Sequence, residues 1–382
     1  MIKQYSLKNG EKRWYFKIYL GIDPVTKKKK YTTRRGFKTK KEAKVAMSRL
    51  ELQVQSKGVE SLAKNTITFE EVYLMWLAQY KNTVQESTLV VQRRACELHI
   101  LPLFGSAQIQ KINLHFCQEQ VNHWYSYYKK YNNLIGMTSQ VFDYAIRSKI
   151  IESNPMNNII KPKKKRQIEE DVFDNYYSKE ELTEFLDTVK NTTDQELFTM
   201  FRLLSYTGMR KGEMHALRWR DIDFINNELS IKRTLTTGEN NTLIFQPPKT
   251  KKGLRTITID ITTIKQLRVW RIKQKEIMLR FGFKTDSLDQ LLFPDEDNGP
   301  KYLDFMNHNL DKVVAKNYLR RITVHGLRHT HCSLLFESGA SIKEVQDRLG
   351  HSDIKTTMNI YAHVTKQAKE KTADNFAKFM EG

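Results

Sequence analysis

Apolar and polar positions alternate at the start of the chain. Trp14, Phe16, Ile18 and Leu20 interleave with Tyr15, Lys17 and Tyr19, the period of a half-buried strand. Lys8-Asn9-Gly10 supplies a turn before it, and Asp23-Pro24 with the run Lys27 to Lys30 supplies one after it. Lys30 to Arg35 reads as another strand and Lys40 to about Lys57 as a helix, so the pattern predicts a small three-stranded sheet with one helix. The period then changes. Thr68-Phe69-Glu70-Glu71 is a capping box opening a helix through Val72, Trp76 and Leu77. Helical stretches follow at Ser87 to His99, Asn113 to Lys129 and Met137 to Ser148, with no strand-like alternation between them. This second domain reads as all-α and ends near Asn154-Pro155. The proline-interrupted basic run Lys161 to Arg166, followed by Glu169, Glu170 and Asp171, has the composition of an exposed linker. A second capping box, Ser178 with Glu181, opens a third domain, whose helices flank a strand-rich insert from about Leu229 to Ile261. At the far end Ala373, Phe376, Ala377 and Met380 repeat at i, i+3, i+4, i+7, an apolar stripe on a short tail helix. The expected fold is therefore multidomain α+β, with domains at 1–64 and 65–160, a linker at 161–173, and a mostly helical domain with a small antiparallel sheet at 174–382.

Charge changes this picture. Of 382 residues, 64 are Lys or Arg and 43 Asp or Glu, a formal charge of +21, while 40% are hydrophobic. The chain is thus folded and strongly basic, which favours a polyanionic partner, nucleic acid before an anionic membrane. The first 64 residues hold 18 Lys or Arg against five acids, so this sixth of the chain carries +13 of the +21. A sheet covered in Lys and Arg with interleaved Tyr and Thr suits a DNA groove and its phosphates. Three cysteines, Cys96, Cys117 and Cys332, with no CxxC pair, argue against a disulfide framework or zinc knuckle and fit a reducing cytoplasm. The amino-terminal residues show no apolar signal region, and no stretch approaches the ~18 apolar residues needed to span a bilayer.

Candidate chemistry is concentrated in the third domain. Phosphodiester transfer without a metal needs cations on the non-bridging oxygens, a proton donor for the leaving oxygen, and a nucleophile that can hold the phosphate. Thr207-Gly208-Met209-Arg210 ends an apolar helical stretch and presents Arg210, with Glu213 one turn on. Pro247 to Gly253 reads as a turn that places Lys249, Lys251 and Lys252 on a projecting tip. His325-Gly326-Leu327-Arg328 puts a proton-exchanging group and a permanent cation three apart on one helix face. Leu349-Gly350-His351-Ser352-Asp353 begins another helix with His351 at its cap region, and Tyr361 follows ten residues later. Each pattern alone is weak, and the isolated tyrosine weakest, since the chain has 17. Their common order, in the contexts Thr-Gly-Met-Arg, His-Gly-Leu-Arg-His-Thr and Leu-Gly-His-Ser, is not a chance combination.

On these residues the chain resembles the tyrosine recombinase, or phage integrase, family from about residue 66 onward, most like integrases of bacterial phages and mobile elements. The first 64 residues resemble the arm-binding domain of a subset of them. The resemblance implies that Tyr361 attacks the scissile phosphate to give a 3′-phosphotyrosyl bond and a 5′-hydroxyl, with neither metal nor other cofactor. It implies that Arg210 and Arg328 clamp the non-bridging oxygens, His325 does general acid/base work, His351 hydrogen-bonds the phosphate, and Glu213 orients Arg210. Lys249 matches the lysine that protonates the leaving oxygen, although Lys251 and Lys252 share its tip. The family also implies double-stranded DNA with core and arm sites as partner, a homotetramer on DNA, a tail helix exchanged between protomers, an excisionase and a host DNA-bending protein. A chromosome-dimer resolvase fits less well because of the extra basic domain, and a type IB topoisomerase is organised differently. A DNA-binding protein without catalysis would lack one of the six residues, and none is missing. A metal hydrolase built on His325, His329 and His331 lacks the HExxH glutamate and a carboxylate ligand.

Overall fold

The computed structural model describes residues 2–6, 11–22, 29–57, 67–163 and 175–351, together with positions 353, 354, 358 and 380. The turns at Lys8-Asn9-Gly10 and Asp23-Pro24, most of the basic linker, Tyr361, and the tail positions Ala373, Phe376 and Ala377 lie outside the described residues.

The amino-terminal strands β1 (Ile2–Ser6), β2 (Lys12–Ile22) and β3 (Lys29–Phe37) form one antiparallel sheet in the order β1-β2-β3, followed by α1 (Lys40–Lys57). The alternation decides its faces. Phe16 and Ile18 are buried with Ala43 of α1. Tyr15, Lys17 and Tyr19 have the opposite parity and pair across the strand with Arg35, Thr33 and Tyr31. Arg35 lies over the Tyr15 ring and Lys17 over the Tyr31 ring, so the exposed face is a layer of cations held on aromatic rings.

The rest of the chain divides into two compact groupings, one containing residues 95–162 with the chain up to Tyr80, the other residues 81–94 with 163–382. In the first, α2 (Phe69–Tyr80) opens at the expected capping box, with the Thr68 N–H donating to Glu71 Oε2 at 2.7 Å. Cys96–Ile100, with wider π-type turns, leads into the single turn α4 (Leu101–Phe104), and α5 (Leu114–Tyr127) and α6 (Tyr131–Arg147) complete the all-α arrangement. Its core is aromatic, with Phe69 against Phe104 and Phe142, and Trp124 against Phe104. Helix α6 starts six residues earlier than the Met137 expectation, because Tyr131, Leu134 and Ile135 already bury the same face.

Helix α3 (Glu86–Ala95) belongs mostly to the second grouping. Ser87 Oγ donates to Gln246 Oε1 at 3.0 Å, and Arg93 pairs with Glu239 at 2.9 Å. There α7 (Lys179–Thr192), α8 (Gln195–Thr207) and the short α9 (Lys211–His215) precede the strand-rich insert. The Ser178 capping box forms as expected. The insert makes two small antiparallel sheets rather than one. The first runs β4 (Ile222–Asp223), β5 (Glu228–Ile231), β8 (Arg255–Thr258), and the second is the hairpin β6 (Thr234–Thr237) with β7 (Leu243–Gln246). Then come α10 (Ile261–Arg280), α11 (Phe305–Lys316), α12 (Val324–Glu337) and α13 (Ile342–Leu349). A single large core from Tyr177 to Leu327 joins α7, α8, α10, α11 and α12 to the first sheet. A satellite cluster of Cys332, Val345 and Leu349 packs α13 on α12.

Candidate active site

Helix α8 ends at Gly208, whose φ of +64° turns the chain sharply. A Cβ at Gly208 would lie 2.6 Å from both the His331 ring and the Leu349 side chain, so only glycine lets α8, α12 and α13 meet there. Arg210 follows immediately. Its Nη1 donates to Glu213 Oε1 at 2.8 Å and its backbone N–H to Oε2 at 2.9 Å. Sequence spacing alone suggests a surface ion pair, but Glu213 is only 2% exposed. Burial raises its pKa, and the hydrogen bonds and charge of Arg255, then of Arg210, outweigh that and hold the carboxyl below the usual range. Arg210 itself keeps 43% of its side-chain surface, a cation fixed at its base and open at its tip.

Arg328 is different. At 2% exposure it is buried, and it spans two chain reversals: Nη1 donates to the Gly208 carbonyl at 2.7 Å and Nη2 to the Leu349 carbonyl at 2.8 Å. Burial and then the neighbouring Arg210 lower its pKa to about 9, which leaves it charged at neutral pH. His325, on the same helix three residues earlier, is solvent-exposed and meets His329 edge to face with ring centroids 4.8 Å apart. Desolvation, followed by His329, Arg328 and Arg210, depresses His325 to about 4. His351 is depressed to about 3 by desolvation and then by Arg328, Arg210, His325 and Arg255. Arg328 holds the carbonyls of Gly208 and Leu349, two residues before Arg210 and His351, and His325 lies one turn before it on α12, so the three segments bring Arg210, Arg328, His325 and His351 together. Both imidazoles are neutral at pH 7, able to accept a proton or donate a hydrogen bond.

Gly350, with φ +69°, is the left-handed cap that closes α13, so His351 lies just past that helix, and the chain is helical again at Ile354. A Cβ at Gly350 would lie 2.6 Å from the Lys252 carbonyl. The lysine tip is thereby seated against the end of α13. Lys249, Lys251 and Lys252 are all exposed on it.

Three residues complete the site that its motifs did not announce. Arg255 donates to both oxygens of Glu213, to Gly253 O and to Arg348 O. Arg348 donates to His331 Nε2 at 2.9 Å and to the carbonyls of Thr258 and Tyr206, and His331 Nδ1 meets Ser205 O at 3.0 Å. One signal was available. Arg255, Ile257 and Ile259 alternate, so the arginine has the parity of two buried isoleucines and needs a buried carboxylate. His331 is held in this network and His329 lies against the His325 ring, and among the described residues no group of three or more metal-ligating side chains occurs.

The described site presents two arginines, two neutral histidines and a lysine-bearing loop, a set of groups suited to holding a phosphodiester. The chain matches the phage integrase family over residues 175–368, the N-terminal SAM-like domain of phage integrases over 68–125, and an arm DNA-binding domain over 3–54. It belongs to the phage integrase family, the tyrosine recombinases that cleave and religate DNA. It is 27% identical to the ICEBs1 integrase of Bacillus subtilis over 97% of both chains, and 30% identical to the transposase of transposon Tn916 from Enterococcus faecalis over 43% of this chain and 41% of that one. Its fold is similar to that of the Tn1549 transposon integrase in complex with a circular intermediate DNA, with a TM-score of 0.66 at 21% identity over 81% of this chain and 99% of that one. It is also similar to lambda integrase in a tetramer bound to a Holliday junction, with a TM-score of 0.54 at 17% identity over 92% and 95%. Among the described residues no helix is long and apolar enough to cross a membrane.

Proposed function

We propose that this integrase moves a mobile element into and out of DNA in the cytoplasm, with Tyr361 as nucleophile and Arg210, Lys249, His325, Arg328 and His351 around the scissile phosphate. The observation that carries the reading is the junction at Gly208 and Gly350, where Arg210, Arg328 and the two histidines converge. Tyr361 follows His351 by ten residues.

In this mechanism the Tyr361 hydroxyl loses its proton to neutral His325 as its oxygen attacks phosphorus. Arg210 and Arg328 hold the non-bridging oxygens, and their planar forks match the charge that grows on them in the transition state. His351 donates a further hydrogen bond. The bond from phosphorus to the 5′-oxygen breaks, and Lys249 gives that oxygen its proton. The phosphotyrosyl link keeps the bond energy, so the reverse attack by a 5′-hydroxyl reseals DNA without ATP. Residues 1–64 engage arm sites, 65–160 and the catalytic domain at 174–382 both engage the core site, and 161–173 connect them. Four protomers act on two DNA segments, with an excisionase and a host DNA-bending protein setting direction.

The test requires no attachment site. Purified protein is incubated with supercoiled plasmid in EDTA and quenched with detergent, and Tyr361→Phe is run alongside. Relaxation and a covalent adduct that disappear in Tyr361→Phe are expected. An adduct that survives in that variant places the nucleophile elsewhere.

A further inference from the structure

We infer that Arg255 is a positioning residue, tying the lysine-bearing loop to the arginine clamp so that the leaving-group acid and the phosphate-binding cations move as one unit. The inference rests on the reading of a tip lysine as that acid.

Three observations carry it. First, the Arg255 guanidinium reaches in three directions at once. Nη1 and Nη2 meet Glu213 Oε1 and Oε2 at 3.2 and 2.8 Å, Nη1 also meets Gly253 O at 3.1 Å, and Nε meets Arg348 O at 2.8 Å. Glu213 in turn holds Arg210, Gly253 closes the lysine tip, and Arg348 lies three residues before His351. Second, the tip is packed against itself and against the end of α13. A Cβ at Gly253 would lie 2.4 Å from Pro248 Cβ, so the two sides of the tip touch, and the Lys252 carbonyl abuts Gly350. Third, the tie is buried, with Arg255 6% and Glu213 2% exposed in their side chains, so water does not replace it. A lysine at 255 would carry the charge but, as a single point on a flexible stem, would not span a carboxylate and two carbonyls on different sides. Reacting groups misplaced by 1 Å lose rate by about 10²-fold.

The experiment separates this role from general support of the fold. Nicked core-site duplexes, cut from the attachment site of the element that carries this gene, are prepared with either oxygen or sulfur at the scissile 5′ position. A thiolate, whose conjugate acid has a pKa of about 8.5, departs without a proton donor. Single-turnover adduct formation is followed for full-length wild type, Arg255→Lys, Gly253→Ala, which pushes the tip off Pro248 while leaving Arg255 intact, and alanine variants of Lys249, Lys251 and Lys252. On oxygen, Arg255→Lys and Gly253→Ala are expected to be about 100-fold slower than wild type. On sulfur that deficit shrinks to within about tenfold, with duplex binding unchanged. Combining Arg255→Lys with the one lysine variant that sulfur rescues adds little further slowing on oxygen, as two groups acting through one step require.

Equal slowing on oxygen and sulfur, no slowing on oxygen, or multiplicative slowing in the double variant each overturns the inference. A wild type without a Tyr361-dependent adduct, or three lysine variants of which sulfur rescues none, instead removes the parent reading. The two failures are therefore distinguishable.

Discussion

Glu213→Gln is the substitution that most directly tests the buried charge cluster. It keeps the shape of the side chain and one acceptor but removes the negative charge between Arg210 and Arg255. The Arg210 half of the cluster is 43% exposed and worth under about 1 kcal/mol, as for other solvent-screened pairs. The Arg255 half is buried and bidentate, with contacts of 2.8 and 3.2 Å, and breaking such a pair costs about 3 kcal/mol at the low end of the usual range. For a domain of this size, 1 kcal/mol moves Tm by roughly 2 to 4 °C, so the variant should melt about 10 °C lower. The pH dependence has a definite sign. Glu213 has a folded pKa below the unfolded value of 4.5, so its stabilisation is complete above 4.5 and is lost as pH falls through the folded value. The gap in Tm between wild type and variant is therefore full at pH 7.5 and closes as pH falls below about 4.5. Differential scanning calorimetry across pH 3.5 to 7.5 measures it. A gap under 2 °C at pH 7.5, or one that does not close in acid, refutes the assignment of Glu213 as the ionised centre of the cluster.

Other expectations follow from the same structure. Arg328→Lys leaves the Gly208 and Leu349 carbonyls without their shared fork, and should lower stability by about 3 kcal/mol in denaturant titration as well as slow cleavage. His215, His331 and His351 are buried with pKa values pushed down to about 4, 3 and 3. The unfolded chain takes up protons first below pH 6.5, so stability is complete above that value and falls by about 2 kcal/mol per histidine on going to pH 5. Both His215 ring nitrogens are buried without a partner, so His215→Leu should raise Tm at pH 7 and flatten the acid limb. A lower Tm refutes the reading that the buried His215 ring costs stability at neutral pH. Removing residues 1–64 should make the salt dependence of DNA binding shallower, because each lost phosphate contact reduces the slope by about 0.9. An unchanged slope rules out contact between the basic sheet and DNA.

Some of the site was legible before any coordinates. Arg210, His325, Arg328 and His351 sit in short, ordered motifs, and the structure brings all four to one junction. Arg255 lacks a motif and shows only as a charge at a buried parity of β8, which signals a partner without naming it. Gly350 and His351 read as the approach to a helix, and Ile354 is helical, but local pattern did not announce that Gly350 also closes α13. The contact with the Lys252 carbonyl, made between segments almost a hundred residues apart, leaves no room there for a side chain.

The sequence by itself determined the periods, the caps and the order of the chemical groups, because these depend on neighbours within one or two turns. It set the strand alternation that gives the amino-terminal sheet a cationic face, the capping boxes at Thr68 and Ser178, and the glycine that ends α8. Tertiary structure alone decided that the strand-rich insert splits into two sheets, that α3 leaves its sequence neighbours for Gln246 and Glu239, and that Glu213 is shared by two arginines. The physical reason is that burying a charge is favourable only where partners from distant segments arrive together. Local pattern can demand such a partner, but only the packed core supplies it.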